Sequence, residues 1–532
     1  MTEQTGQPGP IQQPGPIQQP GPTWQPGPTG EPARQGEPAE PVLAARRLSP
    51  RSLVVDPIRH LGRFLIPFAA AFLLSGHFTI DRAAYYGFAG GAFAVVYAVL
   101  RWVMFRYTVH PNRLDITSGL LARRTRSIPL DRVRGVDLTA SPLHRMMGIV
   151  VVRVDAAAGG RSRKDEGVLD AVSAADGAAL RRMLLARRDA AAPAPVGAVQ
   201  PAVADAPGEL DEQGVVVARV RPAWFLYAPL TGAYLFAPLA VLGTVWGWVN
   251  QNGVLDRRQV EGAANFVVTD PWLVGVVGVL ALLIAMPLAS TAMSAVLNWN
   301  FTVRETASAL QLERGLLTRR HVTLERRRLR GWELVEALLA RTARAGRLRA
   351  LVTGLGTEAH GSRAELLPVA PVAEARRLAT DAVGAQPREL RRHPRAARRR
   401  RLVRAVAPWF VLAVLAFAAD LPAAGVPLLV LAALGVPLAL DRYRSLGHGY
   451  DGARVSVRIG SWSRRTVVLE RRAVVGWQVR QTLFQRRQGL ATLVVGVGAG
   501  RGGYHAVDMD ARAAGEFAAE VTPRWVKPFL AG

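Results

Sequence analysis

The chain contains no cysteine. Disulfides, thiolate metal sites and a cysteine nucleophile are therefore excluded. Lysine is nearly absent too, at Lys164 and Lys527 alone, so arginine supplies almost all of the 67 basic residues. Set against 40 acidic residues they leave a net charge of +27. Charge of that size raises nucleic acid as a partner. The arginine bias also matches the codon usage of a GC-rich genome, and the membrane orientation argued below explains the charge more simply, so no nucleic-acid partner is expected. Catalytic signatures are missing: there is no GxxxxGK[ST], HExxH or G-x-S-x-G. His144, His321, His393 and His448 have no second histidine or carboxylate at ligand spacing and read as lone core or surface residues. The glycine-rich run 496–503 leads into no helix and reads as a hairpin loop. No catalytic, cofactor or metal residue is assigned, and the chain is expected to be no enzyme.

What the chain does hold is a threefold repeat. GLLARRTRSIPLDRVRG at 119–135 returns as GLLTRRHVTLERRRLRG at 315–331 and GSWSRRTVVLERRAVVG at 460–476, with the bounding glycines sixteen residues apart each time. An arginine pair keeps its offset (Arg123-Arg124, Arg319-Arg320, Arg464-Arg465), as do two apolar positions (Ile128, Leu324, Leu469; Val133, Leu329, Val474). Agreement at so many offsets marks a repeated unit. Each unit runs from an apolar block through an aromatic start (Tyr107-Thr108, Phe301-Thr302, Tyr443), the motif and a β-rich run. A helix-like stretch led by Ser173, Pro371 or Asp510 closes it.

Half the residues are hydrophobic and the mean hydropathy is +0.14. Residues 1–45 repeat QPGP every six residues, too rich in Pro and Gly to bury a core, and are expected to be a disordered spacer without a signal-peptide pattern. Three apolar blocks follow, at 64–102, 222–297 and 405–440, each long enough for two helices of roughly 17–25 residues. They are read as three transmembrane hairpins, six helices in all, the third alternatively re-entrant. Arginine is sparse in the loops inside hairpins and dense between them, above all at 388–404. The positive-inside rule then puts both termini and the β-rich segments in the cytoplasm.

Between the hairpins lie β-rich segments at 105–188, 299–384 and 442–525, with linkers at 189–221 and 385–404. In the first copy, strands are expected at 107–117 and 120–130, joined by a turn at Ser118-Gly119, then at 133–138, 149–155 and 168–172. A helix over 174–188 carries Leu180, Met183 and Leu184 on one side. The hairpin followed by YTVHPNRLDITSGLLARRTRSIPLDRVRGVDL, SPLHRMMGIVVVRV and LDAV resembles the bacterial membrane-flanked PH-like family of YdbS/YdbT type. Copies two and three depart from it, with Glu325 and Glu470 in place of Pro129, and Trp462 in place of Leu121. The resemblance implies a curved antiparallel sheet or barrel closed by a C-terminal helix, and no established catalysis. The expected fold class is thus a multi-pass α-helical membrane protein with three cytoplasmic PH-like domains.

Two sets of arginines are candidate sites. Arg395, Arg398, Arg399, Arg400, Arg401 and Arg404 abut the third hairpin, where each would contribute roughly 1 kcal/mol toward anionic headgroups. This cluster, rather than a pocket inside a PH-like unit, is expected to carry most lipid affinity. Arg123, Arg124, Arg319, Arg320, Arg464 and Arg465 either contact lipid or a protein partner, or are solvated strand positions. The expected partners are anionic membrane lipids and either a protein partner or further copies of the chain. The expected role is that of binding or assembly modules at the inner face of a bacterial cell membrane, in envelope maintenance or stress resistance. A transporter or transport accessory subunit is the competing reading, weakened by the scarcity of ionisable residues inside the spans.

Overall fold

The computed structural model describes residues 44–58, 80–118, 124–130, 133–156, 167–191, 214–236, 243–244, 271–354 and 363–530. The QPGP segment and nearly all of the first leg of hairpin one fall outside these residues, as do 237–242 and 245–249 in the first leg of hairpin two. The described start of that leg is not the expected α-helix but two short 3-10 helices, Pro222–Tyr227 and Pro229–Thr231: Pro229 has no N–H to carry a helix on, and Phe225 is buried in the core of the second copy. Strand β1 (Ala44–Arg47) begins just inside the stretch expected to be disordered.

Each copy is two short antiparallel sheets and a helix. In the first, β2 (Arg106–Val109), β3 (Arg113–Ser118) and β4 (Arg124–Pro129) form one meander. The second consists of β5 (Val133–Ala140), β6 (Ile149–Ala156) and β7 (Gly167–Ser173). The single strand expected over 107–117 is in fact two. Pro111 has no N–H to give a ladder, and the His110 N–H closes a turn onto the Arg113 carbonyl at 2.8 Å. Alternation decides which face is inside: Leu114 and Ile116 on β3 and Ile128 on β4 are buried with Val152, Val154 and Leu169 from the second sheet. Helix α1 (Ile80–Met104) precedes this copy, and helix α2 (Ala174–Ala191) closes it through Leu180 and Leu184.

The second copy repeats the plan with β8 (Val215–Arg219), β9 (Thr302–Glu305), β10 (Ala309–Arg314) and β11 (Arg319–Glu325). Its second sheet is β12 (Leu329–Ala337), β13 (Ala345–Val352) and β14 (Glu365–Pro371). Helix α3 (Pro271–Asn298) precedes its first sheet, and helix α4 (Val372–Ala382) closes the unit. The third copy follows helices α5 (Arg395–Ala418) and α6 (Pro422–Arg444). It has β15 (Gly447–Tyr450), β16 (Arg454–Ile459) and β17 (Ser463–Glu470), then β18 (Val474–Arg480), β19 (Leu490–Val497) and β20 (Gly503–Asp510). Asp510 caps its closing helix α7 (Ala511–Val521), its side chain accepting from the Arg512 and Ala513 N–H groups.

The two repeated glycines have different tasks. Gly315 and Gly460 sit at φ 108° and 98° in the β10–β11 and β16–β17 turns, a region that L side chains avoid. The second glycine of each copy lies at a register shift in its ladder: Gly135, Gly331 and Gly476 all mark a bulge.

Four described helices are long and apolar enough to cross a membrane: Gly87–Met104 within α1, Gly275–Asn298 within α3, and α5 and α6. Their large side chains face outward, with Phe88, Leu283 and Leu429 exposed. Hairpin three is longer than its apolar block, because α5 starts at Arg395 within the segment expected to be a linker. Its two helices meet through small residues: a Cβ on Gly435 would stand 2.7 Å from the Ala405 carbonyl, and Ala432 and Ala439 are buried. In each copy the chain just before a block pairs with the chain just after it. Arg47 opposes Arg106, Arg219 opposes Thr302, and Arg391 bridges to His448.

Candidate functional site

In the second and third copies the recurring arginine pair lies on β11 and β17, the last strand of the first sheet and the one at its edge; Arg124 opens the matching strand β4 in the first copy. In the second copy that edge does not face water. Strand β11 pairs with β5 of the first copy, Arg319 opposite Ala140, Arg320 opposite Thr139 and His321 opposite Leu138. In the third copy β17 pairs with β12 of the second along Gly331 to Ala337, so that Glu336 opposes Arg464 and Val335 opposes Arg465. Both joints use one register: the first arginine of the pair meets the residue five places after the preceding copy's second glycine. Two continuous sheets of seven and six strands result.

Side chains lock the joints. At the first, Arg363 Nε lies 2.9 Å from Asp137, Arg181 donates to Thr323 Oγ1 at 2.7 Å, and Arg145 donates to the Leu316 carbonyl at 2.8 Å. At the second, Arg465 reaches buried Glu333 at 3.7 Å. Arg341 grips Asp441 with Nη1 and Nη2 at 2.9 and 2.8 Å, and Ser461 Oγ donates to the same carboxylate at 2.7 Å. Arg464 adds its Nη2 to Asp441 at 3.6 Å and donates Nε to Ser445 Oγ at 3.1 Å. Asp441 lies near the end of α6, so this network ties hairpin three to the second copy as well as the third. Burial holds the Arg464 and Arg465 pKa values below the usual guanidinium range, with Arg341 adding to the effect at Arg464 and Arg501 at Arg465. Burial and Arg314 do the same to Arg320.

Arg319, Arg320, Arg464 and Arg465 therefore all stand at joints, and the neighbour they face is the preceding copy of the same chain. Arg123 lies outside the described residues, and Arg124 is described by its backbone alone, opening β4. The strand alternation gave no sign of Asp137, Glu333, Asp441 or Arg341, because each acts on a residue from another copy.

The juxtamembrane cluster divides. Arg401 donates to Asp508 at 3.1 Å, and Arg400 Nε stands 3.5 Å from its other oxygen, with Asp508 almost fully buried. Gln485 also donates to Asp508 at 2.9 Å. These two arginines pin the first turns of α5 to the third copy. Arg395, Arg398, Arg399 and Arg404 are exposed.

His393 and His448, read from spacing as lone residues, are partners. They come from the strand-like segment before hairpin three and from β15 after it, with His448 Nδ1 3.2 Å from His393 Nε2. His393 Nδ1 lies 3.2 Å from the Asp508 carbonyl, and His448 sets its ring edge-on to Phe517. Burial drives the pKa values down, to about 4 for His393 and to about 3 for His448, where His393 adds to it. Neutral rings suit this chain of contacts: His393 donates to the carbonyl and accepts from His448.

The family model described as bacterial PH domain matches residues 58–188, 233–382 and 408–524. The first matched segment includes the whole of its apolar block and the other two most of theirs, each followed by the β-rich unit. Among curated proteins, the UPF0699 transmembrane protein YdbT of Bacillus subtilis (strain 168) is 24% identical over 136 residues. That alignment covers 24% of this chain and 27% of the relative, so about a quarter of the relative's length is spanned. No solved structure matches.

Proposed function

This chain belongs to the bacterial PH domain family, and on that premise we propose that it is a multi-pass membrane protein whose PH-like units are strand-edge assembly modules on the cytoplasmic face. Membrane association agrees with the transmembrane relative and the four apolar helices. The strand pairs at the base of each block support an even number of crossings: hydrogen-bonded neighbours cannot sit on opposite sides of roughly 30 Å of hydrocarbon. Six spans with both termini inside satisfy that constraint and the arginine distribution.

The observation that carries the assembly reading is the shared register of the two joints. Twice in this chain a unit uses the first strand of its second sheet to bind the last strand of the next unit's first sheet, backbone to backbone. Two such edges remain without a neighbouring strand among the described residues, β4 in the first copy and β18 in the third. They are the complementary halves of the joint made twice inside the chain. Gly476 occupies the position at which Gly331 meets its neighbour, yet a Cβ added to it would have nothing within 4 Å, and Val475 and Val479 on β18 are exposed. A second copy of the chain fits: β18 of one molecule pairs with β4 of another in the same register. Because the hairpins hold every molecule in one bilayer, such head-to-tail pairing yields rows or rings in the membrane plane.

The absence of native cysteine makes the test clean. The shared register sets Val479 opposite Thr125 of the second molecule, so Val479→Cys and Thr125→Cys introduced together should form intermolecular disulfides in membranes under mild oxidation. Cross-linking should rise with salt, since the same register opposes Arg480 to Arg124, a like-charge pair costing roughly 0.2–1 kcal/mol. Failure to cross-link at any salt, with Val335→Cys and Arg465→Cys linking normally inside the chain, would sink the pairing.

A further inference from the structure

A cavity of about 900 Å³ opens where the second copy, the third copy and the base of hairpin three meet. Its arginines are Arg376 from α4, Arg388 and Arg392 from the segment before the hairpin, Arg398 from the first turn of α5, Arg444 from the end of α6, and Arg458 from β16. Among the described residues no carboxylate lines it, and none of the six arginines stands in an ion pair. That sets them apart from their neighbours, since Arg341, Arg391, Arg400, Arg401, Arg464 and Arg465 all have acidic partners. A cavity of about 650 Å³ at the base of hairpin two gives the contrast: its arginines share the walls with Glu374 and Asp381.

Uncompensated cations that converge on one space are costly unless an anion fills it. Arg458 states the demand most sharply. It is half-buried, its Nη2 donates to the Arg444 carbonyl at 3.2 Å, and its Nε is buried with no hydrogen-bond partner. Burial, then the nearby Arg464, lowers its pKa in spite of the opposing pull of Glu336, with Arg376 adding to the fall. The size falls within the range of small-molecule sites, and guanidinium forks match phosphate oxygens two at a time.

The location selects the source of the phosphate. Leu440 of α6 lines the cavity beside Tyr443 and Arg444, within the last turn of an apolar helix. The cavity therefore touches both the end of a span and a cluster of cations, the boundary at which a lipid's chains give way to its headgroup. We propose that this inter-copy cavity binds the phosphate group of an anionic phospholipid, with the acyl chains running beside α6. It joins copies two and three to the membrane through the lipid, and it takes only Arg398 from the juxtamembrane cluster. The inference rests on the membrane anchoring of hairpin three and not on strand-edge pairing, so a chain that fails to cross-link can still bind lipid.

The test is calorimetric titration of the full chain in neutral detergent with short-chain phosphatidylglycerol, phosphatidylcholine and inorganic phosphate. Phosphatidylglycerol should bind saturably at about 0.15 M salt, and the other two should not. Arg376→Gln with Arg444→Gln should weaken it about tenfold or more, whereas Arg487→Gln with Arg512→Gln, an equal charge change on exposed third-copy positions, should stay within about twofold. Should the first pair lower the unfolding temperature, Arg376→Lys with Arg444→Lys keeps the charge and should still lose about threefold through the missing forks. The proposal is overturned by an absence of saturable phosphatidylglycerol binding, or by equal losses in the two glutamine pairs. It is also overturned if Arg395→Gln, Arg399→Gln and Arg404→Gln together cost more than the cavity pair, which returns the affinity to the juxtamembrane helix. Inorganic phosphate binding as tightly as the lipid would make the ligand a soluble anion and reject the lipid.

Discussion

His393 and His448 show how a residue with no chemistry of its own acquires a measurable property from its surroundings. In the unfolded chain both titrate near 6.5. In the fold burial holds them at about 4 and about 3. Between these limits the unfolded state takes up protons that the folded state refuses, so stability is full above about pH 6.5 and falls as the pH drops below it. The expected loss between about pH 7.5 and 5.5 is about 1–3 kcal/mol. Thermal unfolding of the detergent-solubilised chain across that range should show it. His448→Phe keeps an aromatic edge against Phe517 and should flatten the profile by about half; an unchanged slope would place the titration elsewhere.

At the scale of the element, the decisive feature is which strand edges are spent. Gly331 on β12 lets β17 come close: a Cβ there would stand 2.1 Å from the Val468 carbonyl, so backbone would have to move. The same position in the third copy, Gly476 on the open edge β18, has free space around it. Gly331→Ala should therefore destabilise by about 1–3 kcal/mol, while Gly476→Ala stays within about 0.5 kcal/mol. Denaturant midpoints of the two variants provide the comparison, and equal effects would mean that the joint in the sheet is not what the repeated glycine serves. A crowded Gly476 variant that unfolds no earlier but fails to cross-link would instead reveal the edge in use.

For the whole molecule, the joints turn three family units into one assembly, which the proposed topology places at one membrane face. Six spans follow if every block crosses twice. Reporter fusions after Gly262 and Leu421 should then read outside, and fusions after Thr357 and Gly532 should read inside. A cytoplasmic signal at Gly262 would remove hairpin two and with it the common facing of the three units. The arrangement also accounts for much of the charge in physical terms: arginines accumulate at strand edges that meet acids of a neighbouring copy, and at the ends of apolar helices.

The sequence by itself determined the repeat, its apolar blocks and most of its strands. These are local patterns, sixteen-residue glycine spacing, period-two alternation and long hydrophobic runs, and the backbone obeys them without help from distant residues. Two failures were local as well, at Pro111, where one expected strand became two, and at Arg395, where a charged segment extended an apolar helix. The tertiary structure alone decided what each arginine does. Arg398 and Arg401 belong to one run in the sequence, yet one lines an acid-free cavity and the other donates to Asp508, over a hundred residues away. The edge that β11 or β17 takes, and the meeting of His393 with His448, are set by backbone pairing between separate sheets. Every strand edge presents the same donors and acceptors, so no residue pattern states which edges will join; the fold does, by bringing them within reach.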